Sequence, residues 1–367
     1  MLTIGIDARL IDGKGGGTKV YTELLVSNLL KIDRENFYYL YAYKHHPNLS
    51  KIAEGKDNVK IHSAGNKFIW RTPMIYNTIL KDRLHVFHFP AYNVAPAIIK
   101  PEKPKIVVTF HGLDAIFFKK RERPLIWKMN YKISAKVSDK IISVSNKLKE
   151  ELIKVYNLKE NKIATIYYGI PKPNIDTSKL PIIKEKYGID DHDIILCVDG
   201  AEKRKNITTL IKSIRLIKNM SKLNFKLIIT RSKYYKEIIN ALNLEEDIKL
   251  YEWIPHDELN FLYYLSKIIV YPSLYEGVGF PVIEAIQHGK PVLISGNTAM
   301  AELIEEPFLI VQEPLNEQEW ASRIITLLED KSMYSKMESY VRKQSERFSI
   351  EKMVKAHLEL YKELAED

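Results

Sequence analysis

Residues 268–288 constrain the fold of this chain more than any other stretch. The β-branched run Ile268-Ile269-Val270-Tyr271 stops at Pro272, which has no N–H to give to a strand ladder. Gly277 and Gly279 then flank Val278 and permit a tight turn whose amides no Cβ shields. A helix is predicted to start near Phe280 or Pro281, since proline is welcome in a first turn. Strand, glycine loop and helix N-terminus together aim free N–H groups at one point, the arrangement that seats an anion, most often phosphate. Glu276 and Glu284 would be repelled by a phosphate, so their carboxylates are expected to meet hydroxyls, as on a ribose or a sugar. The alternative left open is a solvated Glu276 and a Glu284 that only complements the first turns of its helix.

The order Pro-Ser-x-x-Glu-Gly-x-Gly-x-Pro-x-x-Glu-Ala over residues 272–285 resembles the E-x7-E signature of glycosyltransferase family 4. Gly289-Lys290-Pro291-Val292-Leu293-Ile294 and Glu302 fit the same pattern. The resemblance implies an α/β chain of GT-B type: two Rossmann-like parallel-sheet domains facing a central cleft, with a C-terminal helix crossing back to the first. It also implies retaining transfer from a nucleoside-diphosphate sugar. Under it Glu276 lies by the donor sugar, Glu284 holds the nucleotide ribose, and the amides of Gly277, Val278 and Gly279 orient the sugar.

Length and composition are compatible with that expectation. A chain of 367 residues suits two domains, each burying its own core, and 46% hydrophobic with 28% charged residues is a globular composition. No apolar run approaches the ~20 residues that span a bilayer, and the N-terminus reads directly as a strand without a basic leader. With the single Cys197 in an apolar strand, no internal disulfide is possible, and a cytoplasmic location is expected. The charge is uneven. Residues 1–170 carry 29 Lys+Arg against 15 Asp+Glu, the remainder 27 against 31. Such asymmetry points to an anionic partner for the first half, a lipid surface or phosphorylated acceptor, unless it reflects composition alone. No helix-turn-helix, zinc-finger or RNP pattern is present, so nucleic acid is not expected.

Read in order, residues 2–8 form a strand that leads into Gly13-Lys14-Gly15-Gly16-Gly17-Thr18, which lacks the order of a P-loop. A helix over 19–30 follows, with Val20, Leu24, Leu25 and Leu29 on one face. Gly16-Gly17-Thr18-Lys19-Val20-Tyr21 is similar to the family's Gly-Gly-x-x-x-Tyr, which implies that Gly16 and Gly17 lie beside the diphosphate. Strands are predicted over 37–42, 59–62, 86–89 and 105–110. His111 then falls beyond a carboxyl strand end, where open α/β sheets gather ligands. It resembles the family histidine that faces the donor from the other domain; a structural histidine is the alternative. His85-x-x-His88 lacks metal-ligand partners.

Residues 117–140 mix aromatics with lysines. They suit either an interfacial helix on anionic membrane or a core helix whose stripe Ile126, Met129, Ile133 and Val137 faces inward. Strand 140–144 precedes Ser145, a cap for the helix 146–156. After strand 163–166 the first domain ends near 170, and 171–180 is the linker.

The second domain opens with strand 194–198. Asp191-His192-Asp193 precedes that strand instead of ending it, so it reads as a solvated turn and not a metal site. Asn206 is placed to cap the next helix. Lys203, Arg204 and Lys205 are unfavourable beside a helix N-terminus unless an anion lies between, which argues for a diphosphate. Lys205 matches the family's diphosphate-binding lysine. The arginine upstream of it is replaced by Gly200, with Arg204 as a partial substitute. Further strands are expected over 225–230, 248–253 and 308–311, and helices over 316–330, 333–348 and 350–366.

The expected chain has a donor-binding domain over 171–349 and an acceptor-binding domain over 1–170, with residues 350–367 packing back on the latter. Its expected activity moves a hexosyl-type sugar to a glycan or lipid-linked acceptor in bacterial cell-surface polysaccharide synthesis, without metal or cofactor. Glu276, Lys205 and His111 are the catalytic candidates. Two rivals stand beside this reading: a sugar-nucleotide epimerase or hydrolase on the same scaffold, and a non-catalytic basic binding protein.

Overall fold

The computed structural model describes residues 1–13, 16–63, 78–91, 104–117, 124–190, 192–198, 202–230 and 234–366. The chain divides into two compact units, Met1–Gly169 with Ile350–Asp367, and Ile170–Ser349.

In the first unit seven parallel strands form one sheet: β1 (Thr3–Asp7), β2 (Phe37–Ala42), β3 (Val59–Ser63), β4 (Val86–Phe89), β5 (Lys105–Phe110), β6 (Lys140–Ser143) and β7 (Ile163–Thr165). Their order is β3-β2-β1-β4-β5-β6-β7. The second unit has β8 (Asp193–Val198), β9 (Phe225–Thr230), β10 (Ile248–Tyr251), β11 (Ile268–Tyr271), β12 (Val292–Ser295) and β13 (Ile310–Val311). These lie in the order β10-β9-β8-β11-β12-β13, again all parallel. Each sheet therefore grows outward from its first strand, returns, and grows the other way. This is the doubly wound Rossmann order, with direction reversing at β1/β4 and at β8/β11. Central strands are buried on both faces, so β4, β11 and β12 are nearly continuous apolar runs instead of alternating ones, with His88 and Ser295 the exceptions.

Several helix faces differ from the sequence expectation. Helix Gly17–Ile32 buries Tyr21, Thr22, Leu25, Val26, Leu29 and Leu30, while Val20 is 37% exposed. The face is turned because the C-terminal helix Ile350–Glu366 packs against it, and His357 of that helix bonds the Tyr21 hydroxyl at 2.8 Å. In helix Pro124–Val137, Met129 is 60% exposed, and among the described side chains Tyr131, Ser134 and Ala135 are buried. The Tyr131 ring packs on Phe110 of β5 at 5.7 Å, which draws that side of the helix inward. The basic run 118–123 lies outside the described residues.

Capping also separates into two cases. Ser145 accepts from the Leu148 amide at 3.1 Å, as its sequence position suggests. Asn206 does not cap with its side chain. It adopts φ 57, ψ 28, a left-handed conformation that asparagine tolerates, and its amide group donates to Pro314 O at 2.8 Å. Strand 248–253 stops at Tyr251, leaving Trp253 exposed, and strand 308–311 shortens to Ile310–Val311 behind a 3₁₀ turn, Pro307–Leu309. Cys197 is buried within β8. Among the described residues no helix is long and apolar enough to cross a membrane.

Candidate active site

The reversal of strand order at β8/β11 opens a crevice at the carboxyl ends of these neighbours. Two loops leave from it. The one after β8 contains the turn Lys203–Lys205, while Gly200 lies outside the described residues. The one after β11 carries Pro272 to Gly279. They are tied together, because the Leu274 amide donates to Arg204 O at 2.7 Å and the Ser273 hydroxyl reaches the same carbonyl at 3.3 Å.

That tie brings the candidate acid and the candidate cations into contact. Glu276 Oε1 accepts from Arg204 Nη1 at 2.7 Å and Ser273 Oγ at 2.8 Å, and pairs with Lys205 Nζ at 2.8 Å. Tyr271 adds a longer hydroxyl bond to the same oxygen at 3.3 Å. Arg204 also donates to Glu202 Oε2 and to Tyr275 O, both at 2.8 Å. Burial alone would raise the Glu276 pKa, but the charges of Lys205 and then Arg204 outweigh it and hold it below the ordinary carboxylate value. Burial opposes the Arg204 charge too, and Glu276 followed by Glu202 more than offsets that, raising its pKa. The anion that these cations call for is thus supplied within the protein by Glu276 and Glu202. A bound diphosphate is not needed to explain them.

The glycine loop ends at Gly279, which has φ +94 and precedes helix Phe280–Gln287, with Pro281 in the first turn. A Cβ at Gly279 would lie 3.2 Å from the Met300 side chain. Val278 is buried, and the helix N-terminus faces the loop. Glu284, one turn in, accepts from the Tyr263 hydroxyl at 2.8 Å, and the Tyr263 ring stacks on His288 with centroids 5.0 Å apart. Both glutamates are therefore held by tyrosine hydroxyls from neighbouring elements.

In the first unit, Gly16 begins helix Gly17–Ile32 at φ +138, with open space where a Cβ would be. His111 lies just beyond β5. Its Nε2 donates to Pro90 O and its Nδ1 accepts from the Tyr168 hydroxyl, each at 2.6 Å. Burial pushes its pKa down to about 4, so the ring is neutral at pH 7. Each ring nitrogen has a partner inside its own unit, and contact with a sugar requires exchanging one of them.

A buried polar chain beside His111 escaped the sequence reading. The carbonyl of Met353 can only accept, so His357 carries its proton on Nδ1 (2.7 Å) and receives the Tyr21 proton on Nε2. Tyr21 then accepts from Thr109 at 3.2 Å, and Thr109 accepts from Nε2–H of His88 at 2.8 Å. Finally Nδ1 of His88 accepts from Tyr361 at 2.6 Å. The chain fastens the C-terminal helix to the first helix, β4 and β5, with the buried His88 as its β4 member. Its only sequence signal was a histidine within an apolar strand. Among the described residues no cluster of metal-ligating side chains occurs. Asp193 departs from the solvated-turn expectation by starting β8 and pairing with Lys267 at 2.8 Å.

Two family models match the chain, Glycosyltransferase Family 4 over residues 15–172 and Glycosyl transferases group 1 over residues 181–344. The O-antigen chain mannosyltransferase B of Escherichia coli is 24% identical over 289 residues, covering 76% of this chain and 74% of its own. The O-antigen chain mannosyltransferase RfbU of Salmonella typhimurium is 28% identical over 213 residues, 57% of each chain. Among solved structures, HepE of Anabaena in complex with UDP and glucose superposes with a TM-score of 0.75 at 15% identity, over 99% of this chain and 100% of that one. The paired doubly wound sheets and the two adjoining family matches lead to one assignment: this chain is a member of glycosyltransferase family 4 with the GT-B fold.

Proposed function

We propose that the chain transfers a hexosyl group, mannosyl in the first instance, from a nucleoside-diphosphate sugar to a glycan or lipid-linked acceptor, with retention and without a metal or cofactor. The observation that carries this reading is the glycine loop and N-terminus of helix Phe280–Gln287 at the β8/β11 reversal, with Glu276 and Glu284 on either side of it and Arg204 and Lys205 alongside. The sugar and pathway rest on relatives that are O-antigen mannosyltransferases.

In this mechanism the second unit binds the donor. The diphosphate takes hydrogen bonds from Lys205, Arg204 and the first amides of helix Phe280–Gln287. Glu276, released in part from its cations, turns to the sugar hydroxyls, and Glu284 accepts from the ribose. An acceptor hydroxyl attacks the anomeric carbon on the face the diphosphate leaves. The C–O bond to phosphate breaks, and the acceptor proton passes to the departing phosphate oxygen. No residue becomes a covalent nucleophile. Negative charge grows on the leaving diphosphate, where one fixed donor is worth about 3 kcal/mol. The acceptor would meet the first unit, whose exposed Lys128, Lys132 and Lys136 suit the anionic cytoplasmic face of a membrane.

Product analysis with GDP-mannose, UDP-glucose and dTDP-sugars, each with and without lipid-linked acceptors, tests the reading. Glycosylated acceptor with the anomeric configuration kept, formed equally in EDTA, is the expected result. Free sugar or epimerised donor without acceptor would instead establish the hydrolase or epimerase alternative.

A further inference from the structure

Resting on that donor reading, we infer that Tyr271 is a positioning residue for the diphosphate, acting through Lys205. Tyr271 ends β11 and is 2% exposed, so an apolar side chain would serve packing equally well there. Instead its hydroxyl lies inside the ion cluster. It accepts from Lys205 Nζ at 2.8 Å and donates toward Glu276 Oε1 at 3.3 Å, while its ring lies 5.0 Å from the ammonium. One hydroxyl thus bridges cation and carboxylate.

The consequence follows from competition. Lys205 is paired directly with Glu276, the carboxylate that would otherwise monopolise it. A diphosphate must draw the ammonium away from that carboxylate. Tyr271 offers Lys205 a neutral acceptor that does not repel the incoming phosphate, so the ammonium keeps its place while Glu276 turns to the sugar. Lysine is a flexible point charge with several rotatable bonds, and a fixed neutral partner reduces the freedom it must lose on binding. Without the hydroxyl, Glu276 competes for Lys205 against one neutral acceptor fewer, and the phosphate has to displace a more firmly held carboxylate.

The test is calorimetric binding of UDP and GDP, with uridine and guanosine as phosphate-free probes, to wild type, Tyr271→Phe, Lys205→Met and the double variant. Phenylalanine keeps the ring and removes only the hydroxyl. Tyr271→Phe is expected to weaken diphosphate binding about tenfold, the scale of a hydrogen bond to a charged group, and to leave nucleoside binding unchanged. In the Lys205→Met background it is expected to add less than about twofold, because its route of action is gone. Independent losses in the double variant, equal weakening of nucleoside and diphosphate, or loss of near-ultraviolet circular dichroism in Tyr271→Phe would each overturn the inference. A wild type that binds neither UDP nor GDP would defeat the donor reading itself, whereas diphosphate binding unaffected by Tyr271→Phe defeats only the role given to Tyr271.

Discussion

Lowering the pH from 7 to 5 should cost the first unit much of its stability, and the reason lies in its buried histidines. His111 and His357 are each pushed from an ordinary 6.5 to about 4 by burial, and His88 is driven well below its usual value by burial and then by the nearby His357 and His111. The unfolded chain takes up protons below pH 6.5, whereas the folded unit does not until about pH 4. Stability is therefore intact above pH 6.5 and drains as the pH falls toward 4. At pH 5 a pKa gap of that size amounts to about 2 kcal/mol per group, so His111 and His357 together remove about 4 kcal/mol, and His88 adds to the loss. Against a domain stability of about 5–15 kcal/mol this is a large fraction. In the second unit Glu276, Glu258 and Glu319 have pKa values lowered from 4.5, so their contribution is lost in a lower window, as the pH falls below about 4.5. Urea titrations at pH 7, 6 and 5 read the midpoint, and ¹⁵N spectra of histidine-labelled protein read the rings directly. The expected spectra show His111 and His88 as Nε2–H tautomers and His357 as Nδ1–H, all still neutral at pH 5. An unchanged urea midpoint, or ring signals titrating near pH 6.5, would refute the hydrogen-bond chain.

Other perturbations address the second unit and the surface. Gly279→Ala puts a Cβ at φ +94 and 3.2 Å from Met300, so a loss of about 1–2 kcal/mol is expected in thermal unfolding, with donor binding weakened as the helix start shifts. His288, lowered to about 4 by burial, should give the second unit its own loss between pH 6.5 and pH 4, visible as a drop in the urea midpoint that His288→Gln removes. Flotation with phosphatidylglycerol vesicles should carry the protein upward at low salt, and Lys128→Glu with Lys132→Glu and Lys136→Glu should leave it at the bottom. Flotation of the triple variant equal to wild type would contradict a membrane role for that helix.

The sequence carried local information well and long-range information poorly. The glycine loop, its strand and the helix starting at Phe280 follow from residues within one stretch, so proline, glycine and apolar runs suffice to place them. Alternation of strands and helices was enough for the doubly wound sheets. The partner of Glu276 was not legible in the same way, because Arg204 lies 72 residues away and only β8 pairing with β11 brings the loops together. His111 and Tyr168, 57 residues apart, are a similar case. Helix faces failed for a related reason. Val20 and Tyr21 both satisfy an apolar period, and the choice between them is made by His357, which arrives from the far end of the chain. Asn206 had the right residue type at the right place, yet Pro314 and Thr209 claim its side chain.

Whether the cations of the second unit hold a donor diphosphate is decided most directly by a crystal soaked with GDP-mannose or UDP-glucose. The account predicts phosphate oxygens within hydrogen-bond reach of Lys205 Nζ and Arg204, at the N-terminus of helix Phe280–Gln287, with the ribose on Glu284 and the sugar by Glu276. A donor bound elsewhere while Glu276 stays locked between Arg204 and Lys205 would contradict it.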